Sequence, residues 1–410
     1  MNEPQIRFKR FHGAWISYTL GEMVTFSKGT GYSKTDLCKE GNPIILYGRM
    51  YTKYESVIDT VDTFVIPKNN SVYSTGGEVI IPGSGESPED ISVASTVKNA
   101  GVILGGDLNI LKFDTKLYDP TFMAMAITYS PTRMQLSVFA QGKTIVHLRN
   151  SEIAKGHIYF PHIEEQKIIA RYVSSLDTQI SSVSSRLASL KQVKEASLQA
   201  MFPQKGETVP KIRFKGFEGE WVNGLLGEFL DISAEKNLDD KYGINEVLSV
   251  SDDEGVVNQI KLLGRSYAGK SVTNYNVLRP NQIVYTKSPL KAKPYGIVKV
   301  NEGETGIVSV LYAVYSAKEG VSSKYIHYYF EPTFRINKYL LPLINKGAKN
   351  TMNISDEAFL QGSIMIPPML EEQQQIASYF TSLDKQIALQ TQRLEKLRQI
   401  KAACLDKMFV

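Results

Sequence analysis

The sequence predicts an α+β protein: two tandem mixed α/β modules, each followed by a long helix, with the two helices pairing as an antiparallel coiled coil. Three observations predict it. The first is a repeat. Pro4-Gln5-Ile6-Arg7-Phe8-Lys9 returns as Pro210-Lys211-Ile212-Arg213-Phe214-Lys215, and Phe11, Gly13, Trp15, Leu20, Gly21 and Glu22 return as Phe217, Gly219, Trp221, Leu226, Gly227 and Glu228, at an offset of 206. Glu164-Glu165-Gln166 matches Glu371-Glu372-Gln373, Ser175-Leu176-Asp177 matches Ser382-Leu383-Asp384, and Met201-Phe202 matches Met408-Phe409, at an offset of 207. The second is heptad spacing near the end of each half. The third is a set of short β-like runs between the repeated ends, where the halves have diverged.

The repeat divides the chain into an arm and first module (1–162), a first long helix (163–203), a second arm and module (204–368) and a second long helix (369–410). Two domains suit 410 residues. No run of about 18 apolar residues is present, and Met1 to Arg10 lacks a signal-peptide core. With only two cysteines, Cys38 and Cys404, the expectation is a reduced, cytoplasmic protein. A net charge of +5 permits a polyanionic partner without demanding one.

In the first helix Leu176, Ile180, Val183, Leu187 and Leu190 form an apolar stripe; in the second the stripe is Leu383, Ile387, Gln390, Leu394 and Leu397. Gln390 stands where Val183 stands in the first copy, and one polar residue in such a seam fixes register. Pro161 with Glu164 and Glu165 marks the first start, and Pro203 with Gly206 the end. Forty helical residues span roughly 60 Å. An apolar stripe of that length needs a partner, and the other copy is the nearest. Antiparallel pairing predicts that the second helix ends beside the first arm.

In the modules, Glu78–Ile81, Gly101–Leu104, Gln282–Tyr285 and Gly306–Leu311 read as strands. One helical segment is expected over 121–135 and another over 324–341, the latter interrupted at Pro332.

Catalytic motifs are few. Gly264-Arg265-Ser266-Tyr267-Ala268-Gly269-Lys270-Ser271 fits the phosphate-loop pattern. That loop must join a buried strand to a helix N-terminus, and the flanking residues are a poor strand and a β-like run. Pro82-Gly83-Ser84-Gly85-Glu86 lacks the rest of a dinucleotide fingerprint. The five histidines form no metal-spaced cluster. A binding protein is expected rather than an enzyme. A nucleotide hydrolase built on 264–271 and a protein-binding coiled-coil adaptor remain alternatives.

The arms at 4–22 and 210–228, the Pro…Glu-Glu-Gln helix starts at 161–170 and 368–377, Ser-Leu-Asp and the Met-Phe helix ends together resemble the specificity subunits of type I restriction–modification systems, over the whole length. The resemblance implies that each module is a target recognition domain reading one half of a split, asymmetric DNA site. It implies that the paired helices act as a ruler and dock two modification subunits that methylate adenine. It also implies a chain without catalysis or cofactor of its own, S-adenosylmethionine and ATP being used by modification and restriction subunits. Half-sites about 34 Å apart, one turn of DNA, or somewhat more suit such a ruler.

Affinity for DNA rests on Lys and Arg at phosphates, and specificity on contacts to base edges. The candidate DNA contacts are Lys28, Tyr32, Arg49, Lys53, Lys143 and Thr144 in the first module. In the second they are Arg265, Lys270, Lys287, Ser288, Lys291, Lys293, Lys346, Lys349 and Asn350. Trp15 and Trp221 read as packing residues of the arms.

Overall fold

A computed structural model describes residues 2–269, 271–287, 293–346 and 352–410. The chain divides into two compact units, residues 1–185 with 391–410, and residues 186–390. Each unit thus owns one module, part of the first long helix (Ile163–Ala200) and part of the second (Leu370–Lys407). Among the described residues no helix is long and apolar enough to cross a membrane.

In the first unit a sheet runs in the order Val24–Lys28, Leu108–Phe113, Glu78–Pro82, Ser95–Val97, Val57–Ile58, antiparallel except at its last junction. Glu78–Pro82 is buried at every position, and Val79–Ile81 within it reads as an apolar run. Helices Pro120–Tyr129 and Pro131–Phe139 pack over the sheet. One helix was expected here, and the structure corrects this to two. Pro131 lacks the N–H a continuing helix needs, and the Ser130 hydroxyl caps the N–H of Thr132 instead.

In the second unit Leu230–Ile232, Tyr312–Ala317, Ile283–Thr286 and Val298–Val300 form an all-antiparallel sheet. Its strands follow the same chain order as the first four of the other sheet. Helices Ser323–Phe330 and Thr333–Leu340 break at Pro332, as the sequence predicts. A hairpin, Leu248–Ser251 with Gly255–Asn258, leads into the short helix Gln259–Leu263.

The two units repeat the same frame bond for bond. Arg7 grips Glu165 with two hydrogen bonds of 2.8 Å and donates to Gly13 O; Arg213 does the same to Glu372 and Gly219 O. The Gln166 amide accepts from the N–H of Asp119 and donates to the carbonyls of Leu117 and Pro161; the Gln373 amide likewise serves Ser322, Gly320 and Pro367. Strand Ile16–Thr19 pairs antiparallel with His157–Phe160, and Val222–Leu225 with Ser363–Ile366. Trp15 and Trp221 are buried, each edge-on to an aromatic ring of its module.

Within each unit the helix segments run antiparallel. In the first, Asp177 pairs with Lys401; in the second, Lys194 pairs with Asp384 and Ser197 hydrogen-bonds Tyr379. The stripe residues Leu176, Val183, Leu383, Gln390 and Leu394 are buried, and Ile180, Leu187, Leu190, Ile387 and Leu397 half-buried. Gln390 Oε1 is buried without a hydrogen-bond partner among the described residues.

The N–H of Ile6 bonds to the carbonyl of Lys407 at 3.0 Å, and its repeat, the N–H of Ile212, to the carbonyl of Ala200 at 3.0 Å. The first arm therefore meets the end of the second helix as the second arm meets the end of the first. The bond at 407–6 thus repeats, without a covalent link, the one made at 200–212. A permutant with Val410 joined to Met1 and opened near residue 205 is expected to fold, with a cooperative melt close to that of the parent. A permutant without a cooperative transition would show that the two junctions are not equivalent.

Candidate nucleic-acid interface

Positive side chains meet phosphate or a base edge most readily where they reach solvent and are not held inward by carboxylates; an exposed ion pair, worth about 0–1 kcal/mol, yields to phosphate more easily than a buried one. This criterion sorts the candidate cations. In the first unit Lys28 closes the edge strand Val24–Lys28 and is exposed, with no carboxylate partner among the described residues. Lys143 and Thr144 are exposed at the tip of a tight loop. Gln141 and His147 exchange both backbone hydrogen bonds, at 2.9 and 2.8 Å, closing its base. Gly142 has φ +136°, and a Cβ there would sit 2.0 Å from the Ile145 carbonyl oxygen, so glycine is required. The strand pairing of Val146 with Gly85 and the Ser84–His147 hydrogen bond of 3.0 Å anchor this loop on the glycine-rich 82–86 segment.

Three first-module candidates have other partners. Arg49 points inward with its side chain only 9% exposed, pairs with Glu55 and Asp62 and donates to Thr60 O. Burial pulls the pKa of its guanidinium down, but Glu55 and Asp62 more than offset this and raise it. Lys53 pairs with Asp62 at 3.1 Å, and Lys53 and Arg49 together hold that carboxyl at about 2. Tyr32 is buried in a small cluster with Ile44, Val65 and Ile103. Its hydroxyl bonds Ser71, and Lys68 Nζ sits 4.4 Å from its ring centroid.

In the second unit Lys287 pairs with Asp356, and Lys293 with Asp252 at 2.8 Å and with the carbonyl of Glu331. Both ends of the lysine-rich 287–293 segment are thus committed to carboxylates, and the crowding of lysines seen in the sequence does not amount to free charge at either. Lys270, Ser288, Lys291, Lys349 and Asn350 lie outside the described residues, as does the side chain of Lys346.

The remaining candidate, Arg265, is exposed and without a carboxylate partner among the described residues; its guanidinium lies 4.7 Å from the centroid of the Tyr267 ring. The surrounding loop cannot act as a phosphate loop. Helix Gln259–Leu263 precedes it, and Gly264, at φ +75°, is that helix's C-cap. The helix presents its carbonyl end to the loop, the wrong polarity for an anion.

Three features were not read from the sequence. The repeated Glu-Glu-Gln motif works through its second and third residues, which clamp the arm and the module to the helix start; their recurrence with Arg7 and Arg213 was the available signal. An ion network joins Lys194 to Glu331 and Asp384, with Lys293 and Lys299 on Asp252 nearby. His327 lies among these groups, and burial pushes its pKa down to about 3, so it is neutral there. Tyr267 also went unread as a site residue, although it sits two residues from Arg265 between glycines. Among the described residues no group of His, Cys, Asp and Glu is placed to hold a metal.

Comparison with known proteins accords with this duplicated frame. The family profile of the type I restriction modification DNA specificity domain matches residues 13–192 and again 218–399. The type I restriction enzyme StySPI specificity subunit of Salmonella potsdam is 20% identical over 94% of this chain and 87% of its own length. The crystal structure of the type I restriction–modification S subunit from M. genitalium shares the fold with a TM-score of 0.60 at 13% identity, covering 100% of this chain and 99% of that one. With two copies of the domain spanning most of its length, the chain belongs to the type I restriction–modification specificity subunit family.

Proposed function

We propose that the two modules read the two halves of one bipartite, asymmetric DNA site, and that the long helices set the spacer between them. In this reading the frame docks two modification subunits, which methylate one adenine per half-site with S-adenosylmethionine. Restriction subunits supply the ATP-driven chemistry, and the chain itself does none. The assembly works on double-stranded DNA in the cytoplasm.

One observation carries the reading: two units with the same clamp bonds present different surfaces. The first offers the Lys143–Thr144 tip, the second the Arg265–Tyr267 loop. A common frame suits two copies of one partner, and unlike surfaces suit unlike half-sites. A helix of 38 residues rises about 57 Å, longer than one turn of DNA.

The test is a methylome. The chain is co-expressed with its cognate modification subunit in a methylation-free host, and N6-methyladenine is mapped by single-molecule sequencing. The expected result is a split, non-palindromic motif with one methylated adenine on each strand. A stable complex that methylates no motif would overturn it.

A further inference from the structure

The loop that mimics a phosphate-binding motif has a different use. Gln259, at the start of the short helix Gln259–Leu263, turns its side chain onto the loop. Its Oε1 accepts the Ser266 hydroxyl at 3.1 Å and the N–H of Tyr267 at 2.7 Å, and the Ser266 hydroxyl accepts the N–H of Ala268 at 3.2 Å. Asn258 caps the start of the same helix, accepting from the N–H groups of Ile260 and Lys261. The loop is therefore tied down at its backbone while its side chains stay out. Tyr267 is 61% exposed, yet it is not loose, because the Arg265 guanidinium lies against it.

The Tyr267 ring keeps more than half of its surface in water, with the Arg265 guanidinium over it. What it does here is fix a cation. A free arginine samples many rotamers, and ordering it on binding costs affinity. A guanidinium stacked on a tyrosine is already oriented, and its planar fork matches a guanine edge, O6 and N7, in the major groove. A lysine ammonium can also donate to O6 and N7, but as a point charge on a flexible stem without the planar fork, and the other candidate arginine, Arg49, is spent on Glu55 and Asp62.

We infer that Arg265 reads a guanine in the half-site of the second module, and that Tyr267 is the positioning residue that holds its guanidinium in plane. The inference rests on the half-site reading above. It goes further in naming the base, the reader and its support.

The experiment uses the full chain in complex with its modification subunit, and maps methylation for the parent and for Arg265→Lys, Arg265→Ala, Tyr267→Ala and Tyr267→Phe. The parent motif is expected to contain a guanine in one half. Arg265→Ala should make that one position degenerate, its preference falling by roughly tenfold to a hundredfold, and Arg265→Lys, which keeps the charge but not the planar fork, should relax it less, while the other half-site stays unchanged as an internal control. Tyr267→Ala should relax the same position partially, and Tyr267→Phe, which keeps the ring, should restore it.

Several results would overturn the inference. One is Arg265→Ala leaving every position as specific as before. Another is that variant lowering methylation at all sites without relaxing a base, the signature of a phosphate contact. Tyr267→Phe behaving like Tyr267→Ala would remove the stacking role. A parent complex with no split motif would fail the half-site reading itself, and this inference with it; a split motif indifferent to Arg265 would fail the inference alone.

Discussion

Phe202→Ala is expected to destabilise the second unit by roughly 3–5 kcal/mol, the range for a fully buried large aromatic. Phe202 has no exposed surface, and its ring centroid lies 5.6 Å from Tyr325, 5.9 Å from Tyr329, 6.0 Å from Phe380 and 6.2 Å from Trp221. It also carries the Arg335 guanidinium at 4.5 Å. That arginine is buried and donates to the carbonyls of Tyr329 and Leu198, with no carboxylate partner among the described residues. Burial lowers its pKa, so the charge depends on the ring faces of Phe202 and Tyr329 and on the carbonyl end of the first long helix. Truncation to alanine opens a cavity and strips the cation of one of those faces.

The repeat supplies an internal comparison. Phe409 is 7% exposed, and the rings against it are Phe122 at 5.6 Å and Tyr129 at 6.3 Å, with no cation over it among the described residues. Phe409→Ala should cost less. The chain has two tryptophans, one in each unit. Denaturation followed by Trp221 fluorescence, with Trp15 replaced by phenylalanine, reads the second unit; the converse reads the first. Equal losses for the two variants would deny Arg335 any part in the effect.

The frame was legible in the sequence because every member of it occurs twice. Helix bounds, both arms and the buried tryptophans could be placed from spacing alone, since pattern and duplication agree. The modules were less legible. Sheet order depends on pairings between segments far apart in the chain, such as Asn109 with Ile81, which leave no local trace. The helix break at Ser130–Pro131 was available in the sequence, since proline cannot continue a helix, but the apolar run before it, Phe122–Ile127, was read across it. The candidate contacts failed to sort for a related reason. A sequence shows where a cation is, but its freedom depends on acids brought in from elsewhere. Asp62 is nine residues from Lys53 and Asp252 is 41 from Lys293. Arg49 opens a short helix, Arg49–Thr52, and Arg265 follows one, Gln259–Leu263, and only the fold turns one inward onto Glu55 and the other outward onto Tyr267.

Arg213→Met should cost about 3 kcal/mol, because it leaves the Glu372 carboxylate, 1% exposed, without its cation. Two of the four anchoring bonds of Arg213 end on that carboxylate, at 2.7 and 2.8 Å, and the other two hold the carbonyls of Gly219 at 2.6 Å and Glu218 at 3.1 Å. The residue thus fastens the arm to the first turn of the second long helix, where a negative charge is also favoured by the helix dipole. For a unit of this size the loss corresponds to a fall in Tm of roughly 6–12 °C. High salt should not abolish it, because a pair this buried is weakly screened. The double variant Arg213→Met, Glu372→Gln removes the stranded charge and should recover most of the stability, giving a strongly non-additive cycle. Arg7→Met and Arg7→Met, Glu165→Gln should repeat the pattern in the first unit, where the glutamate is 2% exposed. Because the two pairs share no partner, the two cycles should be independent of one another. Additivity within either cycle would mean that the carboxylate is neutralised or rehydrated once its arginine is gone, and that the clamp works through the Gly13, Glu218 and Gly219 carbonyls alone.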